Sequence, residues 1–219
     1  MIADTIRQIE TELAGRAQLI AVTKTKPVEL LREAYEAGCR MFGENKVQEM
    51  AEKQPQLPAD VAWHLIGHLQ TNKVKYIAPF VALIHSVDSL KLLQEINKQA
   101  AKQNRVIDCL LQIYIADEET KFGLSADEAE GLINDPTLEN LLSIRIVGLM
   151  GLATNTDNEE QIRAEFRGLK QLYDKLGAIE GANLNFSELS MGMSGDYRIA
   201  VDEGSTLVRV GSAIFGSRT

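Results

Sequence analysis

The feature of this sequence that most constrains its fold is a repeated alternation of short apolar segments with longer segments of helical periodicity. The apolar segments are rich in β-branched residues, as strands are. Because parallel strands need a crossover connection, usually a helix, the alternation predicts parallel β/α units. The predicted strands are LIAVT at 19, CRMF at 39, VAWHLI at 61, VALIHSV at 81, VIDCLLQIYI at 106, IRIVGLM at 144, LNFSEL at 184 and TLVRVG at 206.

Helical periodicity is clearest after the first and sixth of these segments, where apolar residues recur at spacings of three and four. Side chains that can cap a helix precede two other segments: Asp88 or Ser89 before LKLLQEINKQAA, and Ser125 before ADEAEGLI. The periodic residues are Leu31, Ala34, Tyr35 and Gly38 after the first strand, and Ile162, Phe166, Leu169, Tyr173 and Leu176 after the sixth.

Eight β/α units in 219 residues predict an α/β fold, a closed (β/α)₈ TIM barrel, with an additional helix at residues 2–14. We expect residues 1–219 to form a single domain, because no linker of biased composition divides them. An open doubly wound sheet is the alternative. Its first loop would normally be glycine-rich, whereas TKTKPVEL contains no glycine, which favours the barrel.

The composition of the chain limits its binding partners and its cellular compartment. The 23 basic and 31 acidic residues give a net charge of -8, so we expect no nucleic-acid partner. No apolar stretch is long enough to span a membrane, and the N-terminal segment lacks the pattern of a signal peptide. We therefore expect a cytoplasmic protein with no membrane partner, in which Cys39 and Cys109 are buried core thiols.

An anion site is predicted where the last two strands end, because barrels often bind phosphate between the loops after strands seven and eight. Small and hydroxyl-bearing residues that allow close backbone approach fall there: Ser190, Gly192, Ser194, Gly195, Gly211 and Ser212. Arg209 lies within the last apolar segment, so it should face a ligand or an acid if it points inward. The alternatives are two ordinary turns and an arginine that extends outward between helices.

Two lysines follow the first predicted strand, a position from which an amine can react with a carbonyl compound. Lys24 and Lys26 are two residues apart, so on an extended strand both would project to the same side, and Pro27 favours an extended Lys26. Periodicity does not choose between them, and charged residues at a solvated strand end are the alternative. His64, His68 and His85 lack metal-ligand spacing and are expected to make ordinary polar contacts.

Eight ordered motifs between residues 21 and 216 resemble the pyridoxal 5′-phosphate homeostasis protein family (YggS/PROSC type). They cover nearly the whole chain. The motifs are AVTKTKP, FGENKVQE, WHLIGHLQTNK, IHSVDS, KFGL, GLMGLAT, LSMGMSGD and VRVGSAIFG.

The resemblance implies a barrel of the alanine-racemase N-terminal domain type with pyridoxal 5′-phosphate as its cofactor. It implies that Lys26, the second lysine of the first motif, forms the Schiff base and that Arg209 faces the pyridine nitrogen. Because an arginine stays charged, it would keep that nitrogen unprotonated and weaken the electron sink that pyridoxal enzymes use. The other implied cofactor-binding residues are Asn45, Met150, Ser190, Met191, Gly192, Ser194, Gly211 and Ser212.

Two functions fit this family pattern. The first is a protein without clear turnover that carries and buffers pyridoxal phosphate and regulates vitamin B6 and amino-acid and keto-acid pools, as a monomer. Apo forms of pyridoxal enzymes or regulatory proteins are its candidate partners. The alternative is a racemase or decarboxylase, which needs a second acid/base group; Tyr197 and Cys39 are the only candidates by position. We favour the carrier, because the chain ends soon after its eighth strand and leaves no room for the second domain of such enzymes.

Overall fold

A computed structural model of the protein describes residues 1–116 and 122–216; Lys121, the first residue of the KFGL motif, lies outside them. Its strands form one closed parallel barrel in sequence order, with β8 hydrogen-bonded to β1. The closed barrel is thereby confirmed over the open sheet. The strands are β1 (Gln18–Val22), β2 (Met41–Glu44), β3 (Ala62–Leu65), β4 (Val81–Val87), β5 (Ile107–Ile113), β6 (Ile144–Gly151), β7 (Leu184–Met193) and β8 (Leu207–Val210).

Helices connect these strands and surround the barrel, and one more precedes it as predicted. Ser89 and Ser125 cap two of the helices, and Ser125 forms a reciprocal capping box with Glu128. The helices are α1 (Ile2–Leu13), α2 (Val28–Glu36), α3 (Val47–Lys53), α4 (Val74–Ile77), α5 (Leu90–Lys102), α6 (Ala126–Ile133), α7 (Glu159–Gly177), α8 (Tyr197–Asp202) and α9 (Ser212–Phe215). Within the described chain, no helix is both long and apolar enough to cross a membrane.

Side chains that alternate along the strands fill two apolar regions. A small cluster occupies the barrel interior and comprises Ile20, Leu83, Leu110, Val147, Met150 and Leu207. The larger cluster lies between the sheet and the helices and includes both cysteines. Cys39 and Cys109 are free and buried, as predicted, and burial raises the pKa of both thiols, that of Cys39 to about 11.

Two strand ends differ from the sequence prediction, and both differences affect the mouth of the barrel. Strand β7 continues to Met193, well beyond LNFSEL, so Ser190 and Gly192 lie within a strand and not in a loop. Strand β1 ends at Val22, so the lysines lie on a turn.

Candidate functional site

A cleft of about 440 Å³ opens at the C-terminal ends of the strands, within the range of roughly 300–1,000 Å³ typical of small-molecule sites. The predicted site residues that line it come from loops far apart in sequence. They are Lys26, Asn45, Ser194, Arg209, Gly211 and Ser212. The cleft wall also includes Val22, Lys24, Thr25, Ile66, Leu152, Met193, Gly195 and Gly216.

Four predicted cofactor residues do not line this cleft. Met150 belongs to the cluster inside the barrel, and Met191 faces the helices because it alternates with Ser190 along β7. Gly192 has φ +97, and a Cβ there would lie 2.6 Å from Ala200, so glycine is required for close packing against α8. Ser190 is fully buried and is occupied by side-chain hydrogen bonds.

Arg209 is a buried cation at the base of the cleft. Its side chain therefore points inward and does not extend outward between helices. Its guanidinium donates to Ser190 Oγ and, over 3.0 Å, to the Gly151 carbonyl oxygen. Across residues 1–116 and 122–216, the structure contains no carboxylate in ion-pair contact with it. Burial lowers the pKa of Arg209 to about 10, although nearby Asp196 opposes this shift. A buried guanidinium of this kind strongly favours an anionic or electron-rich ligand.

Ser190 connects Arg209 to two buried histidines. His85 Nδ1 lies 2.9 Å from Ser190 Oγ, and His85 Nε2 lies 2.9 Å from His64 Nδ1. Arg209 donates to Ser190, so the arrangement that also uses the Ser190 hydroxyl proton has Ser190 donating to His85 and His85 donating to His64. Burial lowers the pKa of His64 to about 4 and that of His85 well below its ordinary value. Both imidazoles are therefore neutral at pH 7, and the expected polar contacts of these histidines are confirmed.

The two lysines lie on a turn closed by the Lys26 N–H, which donates to the Thr23 carbonyl oxygen over 3.0 Å. Thr25 between them has φ 64, in the left-handed region. The prediction that both lysines project to one side of an extended strand was therefore wrong, although both still line the cleft. Lys26 Nζ donates to the carbonyl oxygens of Phe215 and Gly216 at 3.1 and 3.2 Å.

The loops after β7 and β8 meet at the cleft, where the sequence predicts an anion site. Ser194 Oγ accepts from the Gly211 N–H at 3.2 Å and from the Ala213 N–H at 3.4 Å. A Cβ on Gly211 would lie 3.1 Å from Val22, so this position suits a residue without a side chain. Small residues, hydroxyl groups and backbone amides thus converge near the Arg209 cation.

Apolar residues that the sequence reasoning did not select form part of the cleft wall: Ile66, Leu152 and Met193. Leu152 and Met193 are 39% and 41% exposed. Leu152 directly follows β6. A predicted strand that ended at Gly151 instead of Met150 would have identified Leu152 as a residue of the cleft. The cleft thus combines apolar walls with a few convergent polar groups, as small-molecule sites do.

Neither residue considered as a second acid/base group reaches the cleft. Tyr197 faces α1, where its hydroxyl donates to the Glu12 carboxylate. Cys39 is buried in the cluster between the sheet and the helices. The geometry thus gives no support to an acid/base role for either residue.

Comparison with known proteins agrees with this architecture. The protein-family model for the alanine racemase N-terminal domain matches residues 1–219. A pyridoxal phosphate homeostasis protein of Aquifex aeolicus is 43% identical over 212 residues, covering 94% of this chain and 91% of the relative. The chain belongs to the pyridoxal phosphate homeostasis protein family. Another family member, that of Haemophilus influenzae, is 36% identical and covers 98% of the chain.

Solved structures show the same relationship within the family and outside it. PipY of Synechococcus elongatus, solved with PLP bound, has a TM-score of 0.89 and 36% identity, covering 99% of this chain and 100% of PipY. The alanine racemase of Bartonella henselae has a TM-score of 0.73 at 20% identity, and this homeostasis-family chain covers 58% of that enzyme. The racemase shares the barrel fold over nearly all of this chain, but this chain covers all of PipY and 58% of the racemase.

Proposed function

We propose that this protein binds pyridoxal 5′-phosphate in the cleft and carries and buffers it in the cytoplasm as part of vitamin B6 homeostasis. Residues 1–219 would act as one domain. The observation that carries the proposal is the buried Arg209 cation, which lies with two lysines and an amide-lined loop pair around one cleft. The same ligand is supported by relatives that are named pyridoxal phosphate homeostasis proteins and by the PLP-bound structure of PipY.

The residues of the cleft fit this group. Ser194 and Ser212, with the amides near Gly211, would bind the phosphate, and Arg209 would face the pyridine nitrogen. Asn45 would lie beside the ring. Pyridoxal phosphate supplies an aldehyde, which a neutral lysine amine converts reversibly to an imine with loss of water. Ser190 would act through Arg209, because it is buried beneath the cleft and in contact with the guanidinium.

The residue that would form the imine with pyridoxal phosphate is a lysine of the Thr23–Lys26 turn. The family resemblance implies Lys26, and this assignment stays a prediction. Lys24 is a second candidate, because it lines the same cleft while Lys26 Nζ donates to two backbone carbonyl oxygens at 3.1 and 3.2 Å. Lys24 could supply the amine while Lys26 holds the segment after α9 in place.

We further propose that the protein carries its ligand without a defined catalytic turnover. Racemisation needs a proton donor on each face of the substrate, and neither Tyr197 nor Cys39 lies at the cleft. Transfer to apo forms of pyridoxal enzymes, or contact with regulatory proteins, would then be the role of the loaded monomer.

The experiment is borohydride reduction of the loaded protein followed by peptide mapping, with Lys24→Arg and Lys26→Arg as matched variants. Each arginine keeps the positive charge but cannot form the adduct. We expect a yellow parent protein and loss of the reducible adduct in one variant only. A protein that forms no adduct with pyridoxal phosphate would refute the ligand. Rapid exchange of the α-proton of amino acids, abolished with the adduct, would refute the carrier role.

A further inference from the structure

The turn that carries both lysines contains a strained residue that the proposed function leaves unexplained. Thr25 adopts φ 64, which is uncommon for a β-branched residue and costs on the order of 1–3 kcal/mol. Within the described residues, Ala14 and Asn104 are the other non-glycine residues with positive φ. Both of those follow a helix, where left-handed residues are common. Thr25 follows no helix, so a tertiary contact must hold it.

Glu49 on α3 makes that contact. The Thr25 N–H donates to Glu49 Oε1 over 2.6 Å, which orients the peptide between the two lysines. Glu49 is itself fixed, because Lys53 Nζ, one helical turn later, donates to the same carboxylate at 2.6 Å. The Glu49 side chain is 21% exposed and that of Lys53 is 8% exposed, so solvent screens this ion pair only weakly.

Lys53 also binds Thr23, at the start of the turn. Its ammonium donates to the Thr23 carbonyl oxygen and to Glu44 Oε1, both over 2.8 Å. Glu44 in turn accepts a hydrogen bond from the Thr23 hydroxyl over 2.6 Å. All three ammonium donors of Lys53 are thus used, and each contact is with a residue of the turn or with a partner of one. The turn is bound at Thr23 and at Thr25, on either side of Lys24.

We propose that Glu49 and Lys53 are positioning residues that hold the lysine turn in its left-handed conformation and thereby direct the lysine amines into the cleft. This inference rests on the proposed function, since it concerns the same amines. Rotation about φ of Thr25 changes the direction of Lys24 relative to Lys26. Without the carboxylate, Thr25 relaxes toward an ordinary φ, and the cleft presents its amines in a different geometry.

The first test needs no cofactor. Hydrogen–deuterium exchange at the Thr25 amide should be faster in Glu49→Ala, which removes the acceptor, and in Lys53→Met than in the parent protein. Glu52→Ala is the matched control, because Glu52 lies on the same helix and contacts Gln48 instead of the turn. Unchanged exchange in both variants would overturn the proposal.

The second test measures adduct formation with pyridoxal phosphate by visible absorbance. Glu49→Ala should weaken adduct formation by about tenfold, the equivalent of the strain that the contact sustains, and Glu52→Ala should not. Thr25→Gly in the Glu49→Ala background should recover most of the loss, because glycine adopts positive φ without support. A purely structural role would lower the thermal midpoint and show no recovery, and that result would also overturn the proposal.

These outcomes distinguish a failure of the positioning role from a failure of the proposed function. If the parent forms the adduct and Glu49→Ala binds equally well, the positioning role is wrong and the proposed function stands. If the parent forms no adduct, the proposed function fails, and the exchange rate of the Thr25 amide alone decides whether Glu49 holds the turn.

Discussion

Protonation of the buried histidines should make the stability of this barrel fall as the pH drops below neutrality. Burial lowers the pKa of His64 to about 4, from an ordinary value of 6.5. Between these values the unfolded chain binds a proton that the folded barrel does not, so the free energy of unfolding decreases as the pH falls through that window. The full difference corresponds to about 3 kcal/mol, of which about 2 kcal/mol is lost by pH 5. His85, whose pKa burial also lowers, acts in the same direction.

The perturbation is His64→Gln, which removes the titrating ring and keeps groups that can form hydrogen bonds. Urea unfolding at pH 7 and at pH 5 gives the free energy of unfolding of each protein at each pH. We expect the parent to lose about 2 kcal/mol more than His64→Gln between the two conditions. His68→Gln is the matched control, because the His68 side chain is 60% exposed. The acidic residues are common to all three proteins, so their titration cancels.

An equal pH dependence in the parent and in His64→Gln would refute this reasoning. It would mean that His64 takes up its proton in the folded barrel as readily as in the unfolded chain, so it could not remain the acceptor of the hydrogen bond from His85 over this pH range. A variant that is less stable at pH 7 does not affect the result, because the comparison concerns the change with pH.

Two further predictions test the site and its support. Arg209→Met removes a buried cation without an ion-pair partner among the described residues, so we expect unchanged or higher thermal stability without ligand but at least tenfold weaker binding of pyridoxal phosphate in an absorbance titration. Unchanged binding would contradict the role of Arg209. Gly67→Ala places a Cβ 2.3 Å from the Asn45 carbonyl oxygen and should destabilise the barrel by about 2 kcal/mol or more in urea unfolding. Gly168→Ala, in open space on α7, should instead stabilise it by about 1 kcal/mol, and equal effects of the two substitutions would contradict the steric argument.

Much of the fold could be predicted from the sequence because the relevant signals are local. Alternation of β-branched strands with helical periodicity depends on residues a few positions apart, and the helix cap at Ser125 is encoded within four residues. Parallel strands bring their C-terminal ends to one face, so the convergence of Lys26, Asn45, Ser194 and Arg209 followed from the order of the elements.

The errors occurred where a strand ends, since that depends on partners elsewhere in the chain. Ser190 seemed to lie in a loop, but His85 and Arg209 bind its hydroxyl inside the barrel and β7 continues past it. Side chains alternate between the two faces of a strand, so Met191, next to Ser190 in β7, faces the helices. No local pattern in LSMGMSGD indicates that the Ser190 hydroxyl accepts from an arginine 19 residues along the chain.

The sequence by itself therefore determined the barrel, the face on which its cleft opens and the residue types that meet there. Only the tertiary structure decided how the lysine turn is shaped. A contact between Thr25 and Glu49, 24 residues apart, sustains a backbone conformation that threonine disfavours locally. Hydrogen bonds across such separations, in a buried network of Glu44, Lys53 and Thr23, stabilise a local geometry that no short stretch of sequence encodes.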